Sequence, residues 1–490
     1  MTSLTAVLIW PIVVFWLFAN RPPASAVAWS ILGGYLLLPH GFGLDLPGVP
    51  TLDKNSISAL SATLAAATMI GDARLRTLPA GMILPGAWPR SRAVRLLLML
   101  LLIGSAGMVL TNGDALLIGP RILPGLRVYD LLSVVGGVLL SLLPFLLARK
   151  YLAHPEAQRQ LLVVLALVGL GYSLLALYEV RMSPRLSANI YGYFPHSWRQ
   201  HLRAGGFRPV VFLQHGLWLA IFFCSAMLAA MALWRSSTGP ARTRWLLASG
   251  WLFMTLILAK GMGALGIGLL LGAAILFLPV RLQVLGAAVI AGMVLIYPML
   301  RGAGLSPTGT IVTLAWQIDP VRGGSLQYRL DNEDILLDKA NQRPVFGWGT
   351  WGRNRVYDSE GRDVSVTDGF WVIQIGEGGW IGYLAKMGLL TIPLIFLALR
   401  WKSLGLTPAT AGVALALTAN LIDLIPNASM TPVTWLLAGA LAGRLELGWV
   451  SESDQSERPA SPQRRNAYSR QARRHPASVP DSASCWMAHG

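Results

Sequence analysis

Arginine dominates two polar stretches of this chain, and each stretch carries other groups able to do chemistry. The first ends Arg199-Gln200-His201-Leu202-Arg203-Ala204-Gly205-Gly206-Phe207-Arg208-Pro209, with Tyr191, Tyr193, Phe194 and Trp198 just upstream. A guanidinium stays charged and donates two parallel bonds, a match for phosphate, while neighbouring aromatic rings suit the apolar faces of sugars. The same inventory also fits an interfacial aromatic belt with headgroup-binding arginines. Gln214, His215 and Gly216 open the next apolar run; a single His in that place is more often structural than catalytic.

The second stretch runs Arg329-Leu330-Asp331-Asn332-Glu333-Asp334-Ile335-Leu336-Leu337-Asp338-Lys339-Ala340. Leu330, Ile335, Leu336 and Ala340 suggest a short amphipathic helix against a membrane face. Asp331, Glu333, Asp334 and Asp338 spread around such a helix, so the spacing offers no metal cluster. Pro344-Val345-Phe346-Gly347-Trp348-Gly349 follows as a turn whose glycines permit close backbone approach. Thr367-Asp368-Gly369-Phe370 leads into a further apolar run containing Glu377-Gly378-Gly379 and Gly382. Asp368 at a cavity mouth can act as a base, or it can cap the helix that follows.

These stretches interrupt a chain built for lipid. Of 490 residues, 54% are apolar and 13% charged, with mean hydropathy +0.54, against about 25% charged in soluble domains. Runs of about 20 apolar residues are required to span a bilayer. They recur near 4–20, 24–40, 54–71, 93–111, 129–148, 161–178, 210–234, 244–260, 262–280, 282–299, 369–398, 407–425 and 431–447. An all-α polytopic membrane protein with 12–13 transmembrane helices is expected. Region 1–178 holds the N-terminal helices, and 179–447 carries two long connectors, 179–209 and 300–368. Residues 448–490 read as a disordered, basic cytoplasmic tail.

The net charge of +17 reads as topology and not as nucleic-acid binding. Arg74, Arg76, Arg90, Arg92 and Arg95, then Arg149, Lys150 and Arg159, then Arg235, Arg242 and Arg244, then Arg281, and then Arg400 and Lys402 fall on alternate connectors. That pattern marks the cytoplasmic side and puts both long connectors on the opposite face. The first run lacks a basic flank and a cleavage site, so it reads as a membrane helix and not a signal peptide. Cys224 and Cys485 offer neither a disulfide framework nor metal-ligand spacing.

From Arg203 to Gly382 the chain resembles the O-antigen ligase and O-antigen polymerase superfamily. The resemblance rests on Arg329, the short helix, the Pro344–Gly349 turn, and Asp368 ahead of Glu377, Gly379 and Gly382. Arg203-Ala204-Gly205-Gly206-Phe207 looks like the second family arginine. The ligases carry His where this chain has Asp368, and Lys260 stands where many members have a Ser-Arg pair. The resemblance implies a glycosyltransferase C-like fold in the bacterial inner membrane, with a long extracytoplasmic loop. It implies inverting transfer of a glycan from undecaprenyl pyrophosphate to a sugar hydroxyl, on another glycan or on a lipid A core, in exopolysaccharide or O-antigen biosynthesis. Asp368, Arg329 and Arg203 would be catalytic. Arg208, His215, Lys260, Glu377, Gly347 and Gly349 would bind substrate. Membrane lipids complete the partners, and the resemblance calls for no cofactor and no metal. A polysaccharide or lipid transporter, or a non-catalytic assembly subunit, fits the same helical pattern; a transporter favours paired repeats, which this sequence lacks.

Overall fold

The computed structural model of the chain describes residues 2–45, 50–71, 81–195, 197–203, 205–306 and 308–448. The expected basic tail, and Arg74 and Arg76, lie outside the described residues. Backbone polar groups cannot stay unpaired in hydrocarbon, so long apolar runs coil into helices. The chain forms α1 Ser3–Asn20, α2 Pro23–Leu37, α3 Lys54–Met69, α4 Arg92–Leu110, α5 Asp130–Tyr151, α6 Pro155–Met182 and α7 Gly216–Ser236. It continues with α8 Gly239–Leu258, α9 Met262–Phe277, α10 Val280–Gly302, α11 Thr308–Ile318, α12 Pro320–Asn341, α13 Phe370–Leu399, α14 Pro408–Asp423 and α15 Pro432–Leu447. Each of the thirteen apolar runs is a helix, and α11 and α12 occupy the connector between α10 and α13.

Seven of these helices, α1, α4, α5, α6, α7, α10 and α13, are long and apolar enough to cross a membrane. The chain is therefore a mostly helical, multi-pass membrane protein. Helices α2, α3, α9, α14 and α15 are shorter, at 15 or 16 residues, and α8 carries Arg242 and Arg244 in its first two turns.

Helix α7 is the axis of the bundle, buried along most of its length and packed on α6, α8, α9 and α14. Small residues set the closest approaches, as expected where lipid supplies no hydrophobic drive between helices. A Cβ at Gly439 would sit 2.2 Å from the Phe145 carbonyl, and one at Gly443 2.3 Å from that of Arg149. That pair of glycines, four apart, seats α15 on α5.

Contacts between connectors sort them into two groups. In one, Lys54 Nζ donates to Phe212 O at 2.9 Å, Asn112 Nδ2 to Gly347 O at 3.0 Å, and Phe370 N to Leu424 O at 3.1 Å. In the other, Arg149 meets Glu446 and Gly86, and Arg444 meets the carbonyls of Leu404 and Gly405.

Helix α12 is longer than the expected short helix, and its buried seam is Leu330, Glu333, Leu336, Leu337 and Ala340. Ile335 is 49% exposed: five positions past Leu330 it has rotated off the inner face, and Leu337 takes the place expected for it. Helix α13 is broken at Gly379, which sits at φ 65°. Lys386 Nζ comes within 5.8 Å of the Phe370 ring, whereas sixteen positions of straight helix span about 24 Å. The two halves of α13 therefore bend sharply back at that glycine.

Candidate functional site

A cavity of about 550 Å³ opens where three connectors meet, and it gathers Arg208, His215, Arg329 and Asp368. Gln200 and Gln214 join from the first connector, Ser325 and Thr367 from the second, and Asn427 from the turn between α14 and α15. Arg329 comes from α12 and Asp368 from the lead-in to α13. The Arg329 Nε lies 3.3 Å from Asp368 Oδ2, each side chain about one-third exposed to the cavity. Gly369, and not Asp368, is the N-cap of α13, with no side-chain cap bond. The capping alternative for Asp368 is therefore set aside: its carboxylate is spent on an arginine, not on the helix.

The wall carrying Arg208 and His215 is held by groups outside the two polar stretches. Glu179, in the last turn of α6, accepts from Leu186 N at 2.9 Å, Val210 N at 2.8 Å and Val211 N at 2.7 Å. One turn-pair earlier on the same face, the Tyr172 hydroxyl accepts from Phe212 N at 3.1 Å. With Lys54 on the Phe212 carbonyl, these bonds fix a loop in which Val211 takes φ 55°, a conformation unfavourable for a β-branched residue. Sequence reading missed this clamp. Its one signal is an acid and a tyrosine seven positions apart on one face of the helix.

Arg208 is buried, and its Nη2 donates to Lys260 O at 2.9 Å. Its methylenes lie beneath Gly216, where a Cβ would come 2.4 Å from Cδ. His215 is the N-cap of α7: Nδ1 accepts from Leu217 N at 3.1 Å, which places the proton on Nε2. Its ring lies 5.3 Å from that of His201. The structural role weighed for His215 is thus present, in a residue that also lines the cavity.

The remaining expected site residues are elsewhere. Lys260 serves through its carbonyl, in the left-handed turn at φ 56° between α8 and α9, while its ammonium lies beside Gly206. Gly347 and Gly349, at φ 72° and 87°, pack on the break in α13. Trp348 N donates to Gly376 O at 2.8 Å, Gly349 N to Glu377 O at 3.0 Å, and Trp380 N to Pro344 O at 2.7 Å. A Cβ at Gly347 would stand 2.5 Å from Glu377 O, so the turn plugs the carbonyls that the break exposes. Glu377 lines a different cavity. Arg203 lies on the two-residue strand Leu202–Arg203 paired with Gly206–Phe207; its side chain falls outside the described residues.

An ion-pair knot braces the Pro344–Gly349 turn from the other side. Asp114, between α4 and α5, takes Arg343 at 2.7 Å and Arg353 at 3.3 Å. The bonds from Arg343 hold the Asp114 carboxyl below its usual range. Arg353, almost fully enclosed, also donates to the Asp114 and Pro124 carbonyls at 2.9 Å.

No family model matches the chain, and no curated protein matches it.

Proposed function

We propose that this protein is a membrane glycan transferase of the O-antigen ligase and polymerase type, acting at the extracytoplasmic face of a bacterial cytoplasmic membrane. All thirteen apolar helices cross the bilayer on this reading, with the arginine-rich connectors cytoplasmic. The observation that carries it is the Arg329–Asp368 pair facing Arg208 and His215 across one polar cavity. Two cations and a carboxylate in a cavity at the membrane boundary suit a substrate with a diphosphate and a lipid tail.

The donor is a glycan on undecaprenyl pyrophosphate. Its diphosphate takes Arg329 from Asp368 and draws Arg208 toward the same oxygens, in forked geometry. Released from Arg329, the Asp368 carboxylate accepts the proton of an acceptor sugar hydroxyl. That oxygen attacks the anomeric carbon opposite the pyrophosphate, the bond to the pyrophosphate breaks, and configuration inverts. The arginines stabilise the charge gathering on the leaving group, and His215 Nε2–H is placed as a further donor. Between the two acceptors, polymerisation of an exopolysaccharide is favoured over transfer to a lipid A core, because the ligase His is replaced by Asp368.

The test is glycan output and lipid-linked intermediates in cells lacking the gene, complemented with wild type, Arg329→Ala or Asp368→Ala. Long glycan should fall at least a hundredfold for both variants at normal protein levels, with short undecaprenyl-linked units accumulating. Wild-type glycan from both variants would overturn the assignment and favour transport or assembly.

A further inference from the structure

A second polar cavity lies on the other side of the first half of α13, in the groove between α4 and α5. Its volume is about 380 Å³, and Gln374, Glu377 and Lys386 face it from α13, with Trp351 from the following loop of the turn region. A smaller cavity of about 320 Å³ shares Gly137, Ser141 and Lys386 with it and reaches toward Thr431. The Arg329–Asp368 pair belongs to neither.

Three observations mark this space as a built site. A lysine and a glutamate inside a membrane-crossing helix are costly unless paired or put to use. Here Lys386 and Glu377 face one cavity and offset each other's charge, but among the described residues neither makes a hydrogen bond or an ion pair within 4.0 Å, which leaves their polar atoms open to a ligand. The side chain of Gln374 is 8% exposed and likewise without a partner, although it lines the same space. Trp351 takes φ 58° and is 60% exposed at the rim. A bulky residue held in the left-handed region and denied burial is strained, and such strain gathers at ligand sites.

The set of groups selects the ligand. A phosphate would meet Lys386 but be repelled by Glu377, and an ammonium would meet the reverse. Sugar hydroxyls both donate and accept, so one ring can donate to Glu377, accept from Lys386 and do both with Gln374. A pyranose face stacks on an indole. The serines of the groove, Ser105 and Ser141, spend their hydroxyl protons on Leu101 and Val138 carbonyls and leave oxygen lone pairs toward the cavity.

We infer that the Gln374–Glu377–Lys386 cavity, rimmed by Trp351, is a carbohydrate-binding site that holds part of the acceptor glycan remote from its reacting hydroxyl. This rests on the transferase reading for the word acceptor, but not for the sugar chemistry.

Native mass spectrometry of the full chain in a saccharide-free amine-oxide detergent tests it, with octyl β-glucoside as probe and dioctyl phosphate as anionic control. Wild type should bind the glucoside saturably, and Lys386→Met and Trp351→Ala should each weaken it at least tenfold. Trp351→Ala removes an exposed ring and keeps the test valid if the Lys386 variant misfolds. Glucoside binding unchanged in Trp351→Ala and in folded Lys386→Met would overturn the inference, as would dioctyl phosphate binding more tightly through Lys386. Arg329→Ala should retain probe binding. If Arg329→Ala also keeps full glycan output in cells, the transferase reading fails while the sugar site stands.

Discussion

Arg149 and Arg444 in one group of connectors do the opposite work of Arg329 in the other. On one side, the guanidinium groups of Arg149 and Arg444 are fully enclosed and spent on the protein itself. Arg149 donates through Nε to Glu446 at 2.9 Å and through Nη1 to Gly86 O at 2.9 Å. Arg235, although exposed, likewise donates to the carbonyls that end α9, at 2.6 Å to Leu278 O. On the cavity side, Arg329 is more than a third exposed and holds one contact at 3.3 Å. An arginine saturated by carbonyls and a carboxylate closes helix ends that lipid would otherwise leave unpaired. An arginine with one long contact in a polar cavity can change partners, and exchange of partners is what a phosphate site requires.

That contrast is broken most sharply by truncating Arg149. Arg149→Ala leaves the Glu446 carboxylate enclosed with no counter-charge, a loss of about 3–5 kcal/mol for a buried pair cut on one side. Detergent-solubilised protein should be scarce or melt at much lower temperature, whereas Arg329→Ala should match the wild-type melting curve. Equal melting of the two variants would erase the distinction between the groups.

The next effect is smaller and lies at the clamp. Glu179→Gln puts an amide N–H against backbone N–H groups that now share a carboxylate, and a buried donor left unpaired costs about 1–3 kcal/mol. The loop bearing Arg208 and His215 should loosen. Glycan output should fall about tenfold, as a displacement of catalytic groups by an ångström costs one to two orders of magnitude. Hydrogen exchange should rise at 208–215 and stay unchanged at α5 and α15. Uniform exchange across the chain would make Glu179 a general stabiliser and not a positioning residue.

Much of this was legible in the residues. Each apolar run became a helix because hydrocarbon leaves the backbone no alternative, and Arg329 and Asp368, which the resemblance singled out together, line one cavity. What could not be read was how far the turn is structural. Gly347 and Gly349 signal close backbone approach, but only the break at Gly379 reveals that α13 is what they approach. Lys260 reads as a phosphate cation, and what no pattern announced is that its carbonyl, which any residue supplies, takes Arg208. Glu179, Lys54 and Asp114 were invisible for the opposite reason. Each is a lone polar residue whose partners lie far away in sequence, and no local pattern announces such a bond.

Glu333 sharpens the comparison on the cavity side. It follows Arg329 by one turn on the buried seam of α12, 6% exposed, and its Oε2 has no hydrogen-bond partner among the described residues. Burial pushes its carboxyl up to about 7, opposed by Arg301 and the Trp371 indole and reinforced by Asp334 and Asp368. Arg301 is shared with Asp334 at 2.8 Å, so it only partly offsets the burial. A folded-state value above that of the unfolded chain means the unfolded state loses its proton first. Stability should therefore fall as pH rises from about 4.5 to about 7 and level off beyond, at about 1.4 kcal/mol per unit of displacement. Glu333→Gln keeps the neutral shape and cannot ionise. Its melting temperature should equal that of wild type near pH 4.5 and exceed it by a few degrees at pH 8. A constant difference across that range would mean that Glu333 is ionised throughout, and that α12 carries a charge beneath Arg329 which the donor diphosphate would have to oppose.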